Sequence, residues 1–396
     1  MEGPLRHFQL AQFQFLLKTL DTINLPAYKG STFRGAFGHA FKRVVCVHPV
    51  RKSREALNRA ETIPKSDPAV AQRGTISNGV NRERICNSCL LKEKCVYSYV
   101  FETPPPSDTS KMRKYPFAPH PFVITPPLEE RRIYRQNDTL SFELTLVGKS
   151  IDFLPYFIYT FDELGRMGIG KGKGKYHLEN VGQRTKVKGK GPKDEETILI
   201  YSGDDKTLRN NFKVLNVGDL SPSTFDLPPS SNLSPSTLDP LSSPSSALPP
   251  SSNLSPFALN LIFITPTRLK FDGRLSSSLE FHILFRNLLR RISLLSYFHC
   301  GEELGLDFKG LIEKSKEITV QKGNLTWFDW ERYSNRQETK MKMGGFIGSI
   351  TFEGDLEKFM PFLLLGEYIH VGKGTSFGLG KYEILRAEHE ARHNLS

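Results

Sequence analysis

Cysteine and tryptophan are scarce in this chain, at five and two of 396 residues. Long hydrophobic runs are missing. No stretch comes near the roughly 18 uncharged apolar residues that a membrane-spanning helix needs. The longest candidates, Phe153–Phe161 and Phe359–Gly366, suit buried helices. The first ten residues, MEGPLRHFQL, lack the basic-then-apolar order of a secretory signal. These absences predict a cytoplasmic protein with no membrane partner, in which structural disulfides are not expected. Acidic residues are also in deficit. Forty-two Asp and Glu stand against 54 Lys and Arg, a net charge of +12, which favours a polyanionic partner.

A second local deficit divides the chain. Leu220–Pro256 contains no Lys, Arg or Gly, but 13 Ser and 9 Pro in 37 residues. The string LPPSSNLSP occurs in it twice, at Leu227–Pro235 and Leu248–Pro256. Such a tandem duplication offers too little apolar surface for a core and reads as a disordered or polyproline-like linker. The expected division is a first domain over 1–215, a linker over 216–257 and a second domain over 258–396, with a polar insert at about 47–115 in the first.

In the first part, His7–Leu17 reads as a strand and Ser31–Cys46 as a helix with Ser31 at its N-cap. Phe33, Ala36, Phe37, Ala40, Phe41 and Val44 give that helix one apolar face. Pro121–Thr125 and Thr139–Val147 read as strands, Ile151–Leu164 as a helix and Tyr176–Val181 as a strand. The second part repeats the order. Ala258–Thr265 is a strand, Leu275–Phe298 a helix, and Thr326–Tyr333 with Lys340–Phe352 a hairpin. Leu356–Tyr368 is a helix and Tyr382–Leu385 a strand. The predicted fold class is α+β: two tandem ferredoxin-like (RRM-like, β-α-β-β-α-β) domains with a cysteine-rich insert in the first.

A glycine-rich turn precedes the last strand of each part. One is Gly168-Ile-Gly-Lys-Gly-Lys-Gly-Lys175, the other Gly372-Lys-Gly-Thr-Ser-Phe-Gly-Leu-Gly380. Closely spaced glycines let backbone amides approach a phosphate, and Lys171, Lys173, Lys175 and Lys373 add charge. Gly165-x4-Gly170-Lys171 begins a phosphate-binding loop pattern. Gly172, however, stands where Ser or Thr must hold Mg²⁺, and the turn follows a helix rather than a strand. A nucleotide cofactor is therefore not expected.

The segment His370-Val-Gly-Lys-Gly-Thr-Ser-Phe-Gly-Leu-Gly-Lys-Tyr-Glu-Ile384 resembles the C-terminal glycine signature of the RAMP superfamily, and more specifically the CRISPR repeat-processing endoribonucleases. Further matches are Leu25-Pro-Ala-Tyr-Lys-Gly-Ser-Thr-Phe-Arg-Gly-Ala-Phe-Gly38, the block Cys86–Tyr97 and Pro121-Phe-Val-Ile-Thr-Pro-Pro127. The Ser/Pro linker departs from the pattern as a local expansion. The resemblance implies two ferredoxin-like domains and cleavage of repeat RNA without a metal. The 2′-hydroxyl beside the scissile phosphate attacks, leaving a 2′,3′-cyclic phosphate and a 5′-hydroxyl. It also implies CRISPR repeat RNA as partner, with a CRISPR effector complex as a further one, in a prokaryotic cytoplasm. The same superfamily holds non-cleaving RNA-binding subunits of effector complexes, which is the alternative reading.

That chemistry needs a base, an acid and positive charge on the phosphorane. His39 is the candidate, since histidine titrates nearest neutral pH. It lies on the first helix opposite the Phe33/Phe37/Phe41 side, with Lys42 at i+3 and Arg43 at i+4 placed for the same phosphate. Lys29 and Arg34 flank it at the start of the helix. The family places its catalytic histidine on or just before this helix, with a nearby Tyr and Lys; Tyr28 and Lys42 fit those roles here. His7, His48 and His370 are rivals. On the second part, Arg332, Arg336, Lys340 and Lys342 lie along the hairpin with Trp327, Trp330 and Tyr333 nearby, a mixture suited to phosphates and bases.

Cys86-x2-Cys89-x5-Cys95 supplies three thiolates at zinc-ligand spacing. Cys46 is the best fourth ligand and His48 the reserve, so a structural, non-catalytic zinc is expected. Cys300 follows a long apolar helix and is expected to be buried and inert.

Overall fold

A computed structural model describes residues 5–46, 86, 89–112, 115, 117–186, 195–216, 257–276, 278–329, 331–334 and 339–385. The Ser/Pro-rich segment, His48, Trp330 and Arg336 lie outside these residues.

The first half opens with β1 (Gln9–Thr19), in which Phe13, Phe15 and Leu17 alternate inward. Helix α1 (Gly30–Val45) follows. Then come β2 (Phe122–Thr125), β3 (Thr139–Val147), α2 (Leu154–Met167), β4 (Tyr176–Lys186) and β5 (Glu195–Ser202). The sheet runs β2-β3-β1-β4-β5 with antiparallel neighbours throughout, and α1 and α2 pack on one another.

The second half contains β6 (Phe257–Thr267), α3 (Phe281–Leu295), α4 (Phe308–Ser315), β7 (Thr319–Phe328), β8 (Gly345–Gly354), α5 (Met360–Ile369) and β9 (Tyr382–Ile384). Its sheet runs β7-β8-β6-β9 and is again antiparallel. The molecule is thus a mixed α+β protein in which each half places its first strand between its third and fourth.

Helix α1 shows why this sequence is helical without strong end signals. It begins at Gly30 rather than behind a Ser31 cap; Lys29 occupies the cap position and no side chain caps it. Packing holds it instead. Phe37 stacks on Phe157 and Phe161 with ring centroids 5.1 and 5.0 Å away, and Phe33, Ala40 and Phe41 are buried beside it. The expected hairpin of the second half is longer than its sequence pattern. Its arms are β7 and β8, and Glu331–Ser334 pairs with Thr339–Lys342 farther out. The helix α4, capped by the Asp307 carboxylate on the Gly310 amide, was not foreseen.

The halves share their interior. Leu5, Phe8, Leu10 and Val147 of the first half belong to the core cluster of the second. Two buried histidines cross the same seam. His299 faces the carbonyl of Pro119 at 2.8 Å through Nε2, and the Tyr99 hydroxyl at 3.0 Å through Nδ1. A carbonyl only accepts, so Nε2 carries the hydrogen and Nδ1 accepts from Tyr99. By the same reasoning His370 donates from Nδ1 to the Leu379 carbonyl and accepts at Nε2 from Thr125, both at 3.3 Å. Each ring is therefore held neutral. Burial drives the His299 pKa down to about 4, against a partial opposing pull from its bond to Pro119. Burial, reinforced by Lys381 and Arg291, drives His370 well down.

Both folded values lie below the unfolded one, so as pH falls the unfolded chain takes up these protons first. The contribution of His299 to stability is whole above about pH 6.5 and is lost between there and about pH 4, on the order of 3 kcal/mol; that of His370 falls in the same direction. Urea unfolding midpoints measured from pH 7.5 to 4.5 should fall steeply below pH 6.5, and the fall should be shallower in His299→Gln. A flat profile in the wild type would contradict neutral burial.

Candidate active site

The C-terminal glycine loop is the element that meets α1. The Tyr28 hydroxyl donates to the Phe377 carbonyl at 2.8 Å. Arg34 Nε donates to the Ser376 hydroxyl at 3.1 Å, and its guanidinium lies 4.5 Å from the ring centroids of both Phe101 and Phe377. A second guanidinium nitrogen is 2.8 Å from His120 Nε2. Arginine has no acceptor, so His120 accepts there and carries its hydrogen on Nδ1, facing the Thr103 hydroxyl at 3.5 Å. Thr103 in turn donates to the Ala118 carbonyl at 2.8 Å. The hydrogen bonds thus run in one direction, from Arg34 through His120 and Thr103 to the main chain.

The other glycine loop docks within its own half. Ile169 pairs with Gly174, and the Lys171 amide donates to the Asn24 carbonyl at 2.9 Å. Residues 24–30 are therefore gripped from two sides, by Gly168–Gly174 at Asn24 and by the C-terminal loop at Tyr28. Lys171, Lys173, Lys175 and Lys373 are all exposed on these loops.

On α1 the exposed residues are Gly35, His39 and Arg43, one stripe at successive i+4 positions. A Cβ at Gly35 would meet nothing within 4 Å, so the surface N-terminal to His39 is open. A histidine and an arginine on an open stripe can take a proton and balance a phosphate charge.

The other expected members of this site are engaged elsewhere. Lys42, expected beside His39 on the same phosphate, turns to the cysteine-bearing segment. Its Nζ is 3.4 Å from Cys86 Sγ and 5.0 Å from the Tyr97 ring centroid. Lys29 is 1% exposed and donates to the Glu129 carbonyl, so it is not a phosphate contact; burial lowers its pKa. Tyr28 is latched to Phe377, and burial pushes its hydroxyl pKa well up, which suits a latch rather than an acid or base. Arg34 is clamped as described. His370 is 1% exposed and does not reach the surface, whereas His7 is exposed and faces Glu302 at 3.8 Å. Lys340 and Lys342 lie on the strand Thr339–Lys342. His120 is the residue that sequence reasoning missed. Its only local signal was its place directly before the Pro121–Pro127 motif.

The zinc expectation is corrected. Among the described residues, no three of His, Cys, Asp and Glu come together in a group able to hold a metal ion. Cys46, Cys86, Cys89 and Cys95 therefore do not form the expected site. Cys86 and Cys95 pack against the first half's core instead. Burial raises the Cys86 thiol pKa against the opposing charge and hydrogen bond of Lys42. Cys300 is partly buried against the second core, and burial likewise raises its thiol pKa. Among the described residues no helix is long and apolar enough to cross a membrane.

Two antiparallel sheets meeting at a glycine loop define a mixed α+β protein. Residues 261–382 match the model of the CRISPR-associated endoribonuclease Cas6 family. Residues 8–63 and 76–212 match the AF_1859_N N-terminal domain. An uncharacterized protein of Archaeoglobus fulgidus is 24% identical over 178 residues, 45% of this chain and 47% of that one. The chain thus spans about half the length of that curated relative. Among solved structures, Thermus thermophilus Cas6 is 14% identical, covers 96% of this chain and 99% of its own, and superposes at a TM-score of 0.45. A partial Cas6-RT-Cas1–Cas2 complex is 13% identical over 96% of this chain and 47% of that one, at a TM-score of 0.48.

The loop's docking has a direct test. Gly378 has φ +82°, and a Cβ there would lie 2.5 Å from Pro126 Cδ and 2.7 Å from the Ile124 carbonyl oxygen. Gly378→Ala should cost about 2–3 kcal/mol of stability, from strain and the clash with β2. Thermal melts of wild type and variant check this; an unchanged melting temperature would show that the loop does not sit against β2.

Proposed function

We propose that the chain is an endoribonuclease that binds CRISPR precursor RNA and cuts it within the repeat, without a catalytic metal. The observation that carries this reading is the open stripe Gly35/His39/Arg43 on the helix that the C-terminal glycine loop engages. His39 takes the proton of the 2′-hydroxyl. The O2′–P bond forms as the P–O5′ bond breaks, and the departing O5′ receives a proton. The products are a 2′,3′-cyclic phosphate and a 5′-hydroxyl. Arg43 balances the charge on the phosphorane. Tyr28, clasping the loop, and Lys42, bracing the cysteine-bearing segment, act as positioning residues. Lys171, Lys173, Lys175 and Lys373 lead the RNA backbone toward the stripe; Lys340 and Lys342, on the strand Thr339–Lys342, would extend that path, and Arg336, outside the described residues, is a further expected contact.

The matching sheet orders support two tandem ferredoxin-like domains over 1–215 and 258–396, separated by the Ser/Pro linker at 216–257. The reading sets the protein in a prokaryotic cytoplasm, with repeat RNA as its first partner and a CRISPR effector complex as a second.

Cleavage of cognate repeat RNA in EDTA is the test. Wild type should cut, and His39→Ala should slow single-turnover cleavage by about 10²–10⁴-fold while RNA affinity changes little. Undiminished cleavage by His39→Ala would overturn the mechanism. Binding without cleavage by the wild type would place the chain with the non-cleaving RNA-binding subunits.

A further inference from the structure

A second cationic surface lies on the outer face of the second half, away from the α1 stripe. Arg268 and Lys270 in the turn after β6, Arg290 on α3 and Lys373 of the C-terminal glycine loop converge there. The Lys373 amide donates to the Arg268 carbonyl at 2.9 Å, and Asn287 of α3 holds the Lys270 carbonyl at 3.0 Å. Burial lowers the Lys373 pKa, and Lys270, Arg290 and Arg268 lower it further; the only opposing pull is Tyr115. Among the described residues no carboxylate pairs with any of the four, and Arg268 Nε is buried without a hydrogen-bond partner. Three of these cations sit on segments tied by main-chain and amide bonds and the fourth, Arg290, on a helix; with no acid among them they make a site for an anion.

Flat and apolar surface is interleaved with this charge. Tyr115 is 53% exposed and lies under Arg290, 5.7 Å from ring centroid to guanidinium. On the other side of Arg290 a cavity of about 310 Å³ opens between α3 and α4. Leu289, Leu294, Phe308 and Ile312 line it, and Arg286, one helical turn before Arg290, stands at its rim. Two acids of this half are already occupied: Glu303 holds Lys111, and Glu313 holds Lys316.

An acidic peptide would satisfy the cations but has no use for an exposed ring and an apolar cavity between them. A single-stranded polynucleotide has both requirements, alternating phosphates with flat bases. We propose that this surface holds an unpaired flank of the RNA, with phosphates on Lys373, Lys270 and Arg290, one base on the Tyr115 ring and the next in the α3–α4 cavity. The inference rests on the RNA-processing reading and deepens it. Lys373 belongs to the same loop that Tyr28 and Arg34 grip, so the flank continues from the cleavage site.

The test uses the full chain and an unstructured twelve-nucleotide oligoribonucleotide, titrated by fluorescence anisotropy across salt concentrations. Repeat RNA cleavage is measured separately. Arg286→Ala/Arg290→Ala changes only exposed side chains and should weaken binding about tenfold, reducing the salt slope by about 0.7 for the one phosphate contact, at Arg290, that it removes. Ile312→Trp, which fills the cavity, should weaken binding with the slope unchanged. Wild-type binding by both variants would overturn the proposal even if repeat RNA is cut. Arginine-dependent binding by a chain that cuts no repeat RNA would leave this surface standing and remove the cleavage reading. Displacement of the oligonucleotide by poly-glutamate at equal charge would show a general anion site and also overturn the proposal.

Discussion

The Arg34 guanidinium lies between the rings of Phe101 and Phe377, which reach it from the cysteine-bearing segment and from the C-terminal loop. Cation–π contact of this kind is strongest when the charge is partly withdrawn from water, as it is here. Three parts of the chain, distant in sequence, are thereby set around one planar group. The orientation of α1 against the loop follows from that, and so does the exposure of His39 and Arg43 on the far side of the same helix. The hydrogen bond from Tyr28 to Phe377 and the approach of Gly378 to β2 tighten the same joint. The neutral histidines at the seam hold its other end, where the halves also share apolar side chains.

Much of this was legible in the sequence because it is periodic or compositional. The Phe33/Phe37/Phe41 spacing marks the buried face of α1 and hence leaves His39 outward. The glycine loops announce themselves by spacing. The order of strands and helices in each half follows from alternation and length. What periodicity cannot carry is the direction of a long side chain. Lys29 and Lys42 sit where the sequence places them toward His39, yet one folds onto a main-chain carbonyl and the other onto Cys86 and Tyr97. Their partners lie 100 and 44 positions away, in segments whose approach no helical wheel describes. The same holds for His120 and His299, whose roles are set by the carbonyls and hydroxyls they face. The cysteine spacing misled for a related reason. Ligand spacing is a necessary condition for zinc, but Cys86 packs beside Lys42 and against the first core, and among the described residues no three ligands converge.

The charge excess also divides once the fold is known. Some cations serve the structure: Lys29, Lys42, Arg34 and Lys381, the last paired with Glu143 across the seam. Others face outward without acids, on the glycine loops and around Arg290. Net charge could not separate these groups, because a lysine that stabilises a seam and one that awaits a phosphate count equally.

The contacts by which the C-terminal loop docks use mainly its backbone: the Phe377 carbonyl accepts from Tyr28, the Gly378 carbonyl accepts from Thr265, and the Lys373 amide donates to Arg268. A loop anchored in this way keeps its place whatever side chain stands at position 373. Exchanges there change the surface the loop presents outside without loosening the joint inside. Substrate preference and architecture can then drift separately within one short stretch of chain.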